Sequence, residues 1–364
     1  VSAPSTAPSR LFSRTALVAG AIATVAAGLL VVLRFAVIQP PEGDPPPCER
    51  TFVRMYDPPR TKVDTMLIVD DGQAWAVLAQ DPTFADPEVF CDGAGEFVYR
   101  AQRPMYGWIV WAASFGQPAA VPVALMVVSV LGVGLLAAAG VALAEHEGRL
   151  GRFGGLVALM PGAFYTVITF GPEALATGLC LLAIVWWTGP SRRPWAAVAA
   201  LTVAVLCRDI LVVVPAAIGL FELVRRVRPF RSLLPLGVPV AAYLGWIVSL
   251  KVRYGSWPSD RQKLERLAPP FRGLWQALAQ FDSVKWFALL LAVVLLALAV
   301  RRSPRSMLTW IALAFAAVGV VLGENVWVTQ FYRVLLPMYA LALIAALPAD
   351  PHLRTPPTRP SSRT

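Results

Sequence analysis

The chain has 364 residues, 57% of them hydrophobic and 15% charged, with a formal net charge of +10. A soluble globular protein carries about 25% charged residues, so a soluble fold is excluded, and the apolar residues fall in blocks of about 15 to 25, the length of membrane helices. The basic residues sit in short clusters between those blocks, a pattern that argues for a lipid bilayer and against nucleic acid as the partner.

In chain order, residues 1–14 and 348–364 read as disordered cytoplasmic tails rich in Ser, Thr, Pro and Arg. Arg10 and Arg14 precede the apolar run "TALVAGAIATVAAGLLVVLRFAVI". It is longer than a signal-peptide core, so it is expected to remain as an uncleaved first helix over 15–37. A long loop rich in Pro and acids follows, 38–118, containing the short helix expected in "IVDDGQAWAVLAQDP". Cys48 and Cys91 flank that stretch. They are a candidate disulfide if the loop is extracytoplasmic, although spacing alone does not fix their connectivity. Segment 104–117 ("PMYGWIVWAASFGQ") is too short to span and aromatic enough to lie at the interface.

Further spans are expected at 119–143, 154–170, 172–188, 195–207, 209–224, 232–250, 285–300, 306–322 and 331–347, giving an all-α polytopic integral membrane protein of about ten transmembrane helices over 15–347. With the N-terminus inside, the inner loops are "EHEGRLGR" (145–152), "SRR" (191–193), "RRVRPFR" (225–231) and "RRSPR" (301–305), each of them basic. Counting 104–117 as a span would flip every later loop and break the positive-inside rule. Both termini are then cytoplasmic, and 38–118 is a large first extracytoplasmic loop. The spans from 154 to 224 are short. A 13-residue helix covers about 20 Å of a hydrocarbon core about 30 Å thick. Their outer turns, at 171–172 and 208–209, are therefore expected to lie below the outer surface around a cavity open to the outside.

On that outer side fall Asp70, Asp71 and Asp81 in the first loop, Glu173 after "TFGP", Arg208 and Asp209 in "AVLCRDILVV", Glu324 in "GENVW" and Arg333 in "FYRVLLP". An ionised side chain at mid-membrane costs about 2.5–3.5 kcal/mol and so marks a partner or a wet cavity. Guanidinium forks match phosphate oxygens, and a carboxylate can deprotonate an acceptor hydroxyl. Together they suit group transfer from a lipid-linked phosphate. Neither GxxxxGK[ST] nor a strand-borne GxGxxG is present. His146 is expected inside and His352 lies in the tail, so a histidine metal site is unsupported.

The order of motifs carries a resemblance. An outer-loop "DDGQAW" is followed by "YRAQRPMYGWIVW", "GPEALATGL", "AVLCRDILVVVP" and "YRVLLPMYALAL". Over about residues 15 to 345 this resembles bacterial members of the GT-C superfamily, membrane glycosyltransferases that use polyprenyl-phosphate sugars. The closest likeness is to mannosyltransferase-type enzymes and to members linked to cell-surface glycopolymers. Family members often read Tyr-Asp-Gly-Gln, then Tyr-Arg-x-x-Arg. Here Asp71 and Gln73 fill their motif positions, Asp70 replaces the aromatic, and Tyr99, Arg100 and Arg103 match. The resemblance implies that Asp71 is the catalytic base or helps hold a divalent metal (Mg or Mn). It implies that Arg208, Arg333, Arg100 and Arg103 hold the donor phosphate. Which of Asp70 and Asp71 acts stays open, because adjacent helical side chains point about 100° apart. The implied partners are a polyprenyl-phosphate sugar and a glycan or glycolipid acceptor at the plasma membrane.

Each residue also has a plainer role. Asp70 or Asp71 could cap the helix that follows, Asp81 could form a turn, and Arg208–Asp209 could be a local ion pair. Tyr99, Arg100 and Arg103 could lie at the interface. A lipid-glycan flippase would also bury charges, but no internal repeat is evident. A non-catalytic partner of envelope-assembly enzymes could keep the same fold.

Overall fold

The computed structural model describes residues 12–39, 48, 53–54, 61–68, 71–189, 193–261 and 267–351. Among these the chain is helical, with isolated β-bridges and no strands. α1 is Arg14–Val37. The loop after it carries α2 (Lys62–Leu67), α3 (Gly72–Gln80), α4 (Ala94–Ala101) and α5 (Pro104–Ala113). The bundle continues with α6 (Val121–His146), α7 (Pro161–Thr169), α8 (Glu173–Thr188), α9 (Pro194–Cys207), α10 (Val213–Val224) and α11 (Gly237–Tyr254). After α12 (Pro258–Arg261) and α13 (Arg272–Ala277) come α14 (Ser283–Arg302), α15 (Met307–Val320), α16 (Glu324–Thr329), α17 (Phe331–Val334) and α18 (Leu336–Ala346).

Four helical segments are long and apolar enough to cross a membrane: Arg14–Val37, Pro118–His146, Phe230–Tyr254 and Ser283–Arg302. A fifth forms if Gly151–Leu159 and Pro161–Thr169 count as one span bent by 50°. The expected count of ten is finer than this. The difference lies in the short helices α8, α9, α15 and α18, at 16, 14, 14 and 11 residues, and in the bend. Pro161 supplies no N–H at the bend, and Met160 before it is extended. Large apolar side chains point outward on the long helices, Leu17, Ile22 and Val32 on α1 and Leu290 and Val293 on α14 among them. A water-facing surface would not favour such faces, and lipid does. The chain is a helical membrane protein.

α6 is the central helix, buried along most of its length between α1 and α8. Small residues set its spacing. A Cβ on Gly20 of α1 would sit 3.1 Å from the Gly134 carbonyl oxygen, and one on Gly178 of α8 would sit 3.0 Å from the Leu136 nitrogen. Close backbone approach of this kind is how helices associate where lipid removes the hydrophobic drive.

The described parts of the first loop form a cap. Thr61 and Asp64 form a capping box at the start of α2. Cys48 and Cys91 are disulfide-bonded, with Cα atoms 5.8 Å apart. Asp81 is a turn residue: its carboxylate accepts from the backbone N–H groups of Thr83 and Asp86 at 3.1 and 3.2 Å. α5 is the short helix expected in 104–117. Trp108 on it donates to the Pro82 carbonyl at 2.9 Å, and Trp246 of α11 donates to that of Ala101 at 2.7 Å. The first bond holds the cap together, and the second ties it to the bundle.

Candidate functional site

Three breaks in the bundle converge beneath the cap. The first is the turn between α7 and α8, where Phe170 takes a left-handed backbone (φ 51°), a strained state for a side chain that branches at an aromatic ring. The second follows α9, where Arg208 is extended (φ −149°, ψ 103°) and a short 3-10 turn, Asp209–Val212, begins. The third is the α16–α17–α18 run, interrupted at Gln330 and again at Leu335. Each break presents a charged residue to the same place: Glu173 opens α8, Arg208 and Asp209 follow α9, and Arg333 lies on α17.

From the cap comes Asp71. It precedes α3 in the N-cap position but makes no capping hydrogen bond. The helix-cap role considered for it is therefore not the one adopted. Its Oδ2 accepts from Arg333 Nη2 at 2.5 Å, and its Oδ1 accepts from Arg100 Nη1. Gly72 makes the approach possible, since a Cβ there would sit 2.7 Å from the Leu67 oxygen and 3.1 Å from the Thr169 oxygen. The glycine of "DDGQ" thus lets the start of α3 lie against the end of α7.

The pairs extend outward from Asp71. Arg333 Nε donates to Glu173 Oε1 at 2.5 Å, and its Nη1 donates to Gln330 Oε1 at 2.7 Å. Arg208 Nε lies 3.5 Å from the same Glu173 oxygen. Arg100 Nε donates to Glu96 Oε1 at 2.6 Å, one helical turn back. Arg103 Nε donates to Asp209 Oδ1 at 2.8 Å. The guanidinia of Arg100 and Arg103 lie 5.1 and 5.3 Å from the Tyr99 ring, and that of Arg333 lies 5.5 Å from the Tyr165 ring, within cation–π range.

The cluster is closed. Asp71, Glu173, Arg208 and Arg333 are 4%, 2%, 7% and 1% exposed. The sequence leads one to expect these residues on the walls of a cavity open to the outside; instead their opposite charges turn them toward one another. Burial disfavours the ionised form of Asp71, but the adjoining guanidinia of Arg100 and then Arg333 more than offset it and hold the carboxyl well below its ordinary range. Burial likewise opposes the charges of Arg100 and Arg103. Asp71 beside the one and Asp209 beside the other reverse that effect and keep both guanidinia firmly charged.

Not every polar atom is satisfied. Arg103 Nη1, Arg208 Nε and Glu173 Oε2 are buried without a hydrogen-bond partner. Buried donors of this kind are costly, and in native proteins they call for an explanation, a ligand among them. The two arginine nitrogens suit an anion. A divalent cation fits poorly. Both Asp71 oxygens are engaged by guanidinia, and the carboxylates of Asp71, Glu96, Glu173 and Asp209 face an equal number of arginines. No group of three His, Cys, Asp or Glu side chains suited to a metal occurs among the described residues.

Of the residues singled out in the sequence, Asp71, Arg100, Arg103, Glu173, Arg208, Asp209 and Arg333 meet here, with Tyr99 beneath two of the arginines. Gln73 is buried and donates to the Ile68 carbonyl at 3.3 Å, in the loop segment that precedes Asp71. Asp70 lies outside the described residues. Glu96, Gln330 and Tyr165 belong to the cluster and escaped the sequence reading. The signal for Glu96 was present, an acid four residues before Arg100 on one helix face. Arg34 also escaped it. Its Nη2 donates to the Met66 carbonyl at 3.0 Å and its Nη1 to that of Ile168, so it bridges the segments that precede Asp71 and Glu173.

The fold and the cluster together define a helical membrane protein whose first loop is locked to broken helices by buried ion pairs. No protein-family model, no curated protein and no solved structure matches the chain.

Proposed function

We propose that the chain is a GT-C-like membrane glycosyltransferase. It transfers a sugar from a polyprenyl-phosphate donor to a cell-envelope glycan or glycolipid on the extracytoplasmic face of the plasma membrane. The observation that carries the reading is a loop carboxylate, Asp71, held between Arg100 and Arg333, with the unsatisfied buried donors Arg103 Nη1 and Arg208 Nε nearby. The disulfide between Cys48 and Cys91 supports an outward-facing loop, because such bonds persist in oxidising compartments.

The chemistry follows from the ion pairs. A carboxylate clamped by two guanidinia is a weak base, since protonation would break both contacts. The donor phosphate competes for the same guanidinia. As they turn to it, Asp71 loses its clamp and becomes basic enough to take the proton of an acceptor hydroxyl. The acceptor oxygen then bonds to the sugar's anomeric carbon. The bond from that carbon to the donor oxygen breaks, and the electron pair leaves with the polyprenyl phosphate, whose charge the arginines neutralise. No step is routed through a metal.

The self-neutralised cluster also favours a second reading, a non-catalytic envelope-assembly partner in which the ion pairs only fasten the loop. The test is sugar transfer from radiolabelled polyprenyl-phosphate sugars in membranes holding wild type or Asp71→Asn. Loss of transfer by about 10²-fold or more in a folded variant supports the base. Equal transfer in both removes Asp71 from the chemistry. Absence of transfer from every donor favours the partner reading, or a lipid-glycan flippase.

A further inference from the structure

A cavity of about 640 Å³ lies outside the ionic cluster, between α13 with its flanking loop and the start of α16. That volume is within the range of small-molecule sites. Its surface is mostly apolar, and five side chains that can hydrogen-bond are set into it: Arg272, Gln276, Gln280, Glu324 and Asn325. Pro269 and Val328 are among its apolar patches. Among the described lining residues one guanidinium and one carboxylate cancel, so these carry no net charge that would favour an ion. Paired amide, guanidinium and carboxylate groups around small apolar surfaces suit a ligand that is both a dense donor–acceptor and a carrier of C–H faces.

The cavity is preformed. The Ala268 and Phe271 N–H groups donate to the Val321 and Val320 carbonyls at 2.9 and 2.8 Å. Phe271 is held in a left-handed backbone (φ 63°) where the loop turns into α13. Gln280 Nε2 donates to Glu324 Oε1 at 2.6 Å, joining the two walls. A short run of chain joins the site to the cluster. Glu324 and Asn325 begin α16, six residues or about 9 Å long at 1.5 Å per residue. Its C-cap is Gln330, whose side chain accepts from Arg333.

We propose that this cavity is a glycan-binding site that takes a neutral oligosaccharide, the acceptor in the transfer proposed above. The acceptor role rests on the transferase reading above; glycan binding by the cavity does not.

The test is direct binding to the purified full chain in lipid nanodiscs. It uses saturation-transfer NMR and tryptophan fluorescence with manno-, gluco-, galacto- and arabino-oligosaccharides of three to five units. At least one probe is expected to bind in the millimolar range or tighter. Gln276→Ala with Asn325→Ala, both on exposed positions, is expected to weaken that probe tenfold or more at unchanged helix content. Asp71→Asn should bind it like wild type, which separates this site from the chemistry. Failure of every probe to bind wild type overturns the proposal, and so does equal binding by the double variant. Binding without any sugar transfer keeps the site and removes the transferase, whereas transfer without binding here does the reverse.

Discussion

Asp71 and Arg333, 262 positions apart, meet through a 2.5 Å contact inside the protein, with the Arg333 side chain wholly shielded from solvent. This contact joins the first loop to the last broken helix. Removing one partner leaves the other charged and buried, which costs about 3–5 kcal/mol. Arg333→Leu alone is therefore expected to destabilise more than Arg333→Leu combined with Asp71→Leu, because the single variant leaves the cluster one negative charge in excess and the double variant restores its balance. A double-mutant cycle read by thermal unfolding in detergent should give a coupling of about 0.5–3 kcal/mol. Additive effects would show that the pair contributes nothing specific.

The same pair fixes a pH dependence. The folded pKa of Asp71 is depressed from its ordinary 3.8. Its stabilising contribution is then fully present above 3.8 and fades as pH falls below that value toward the folded one. The difference in melting temperature between wild type and Asp71→Asn should accordingly stay constant from about pH 8 to about pH 5. A difference that narrows within that window would mean that Asp71 is not held between guanidinia.

The disulfide offers a test of the cap. Cys48 and Cys91 close a loop with a sequence separation of 43, and loop-closure entropy for that length is about 4 kcal/mol. Cys91→Ser is expected to lower the melting temperature and to expose the first loop to protease while the bundle stays folded. Reduction of wild type with dithiothreitol should reproduce both effects. If neither treatment alters the protease pattern, the cap is held by its tryptophan and arginine contacts alone.

How much of this could be read from the sequence differs by level. Apolar blocks and basic loops sufficed for a helical membrane protein, because lipid imposes length and composition on every segment. They also singled out Asp71, Glu173, Arg208 and Arg333, which the fold brings together. What they could not supply was pairing. Nothing local says that Asp71 turns to Arg333 rather than Arg208, since the choice is made by how α7, α9 and α17 pack. The short helices mark the other limit. Hydropathy reports apolar length, and the bend at Pro161 or the breaks at Gln330 and Leu335 depend on what lies alongside. Arg34 shows a signal passed over: a lone charge near the end of an apolar helix usually has a partner, and here its partners are the Ile168 and Met66 carbonyls.

Arg208 separates a structural ion pair from a ligand site. Its Nε sits 3.5 Å from Glu173 Oε1, too far for a good hydrogen bond, and is left without a partner. If the residue only neutralised Glu173, Arg208→Gln would destabilise the fold and leave the kinetics of the surviving protein unchanged. If it holds the donor phosphate, the variant loses a charge-assisted contact of about 1.5–3 kcal/mol. That corresponds to a rise of about tenfold to a hundredfold in the KM for the polyprenyl-phosphate sugar. Arg208→Lys keeps the charge but not the fork, so it should recover stability more fully than donor affinity. The deciding measurement is the KM-against-kcat split in sugar transfer, set beside the melting temperature of each variant. A donor KM that tracks stability across both substitutions would assign Arg208 to the fold alone.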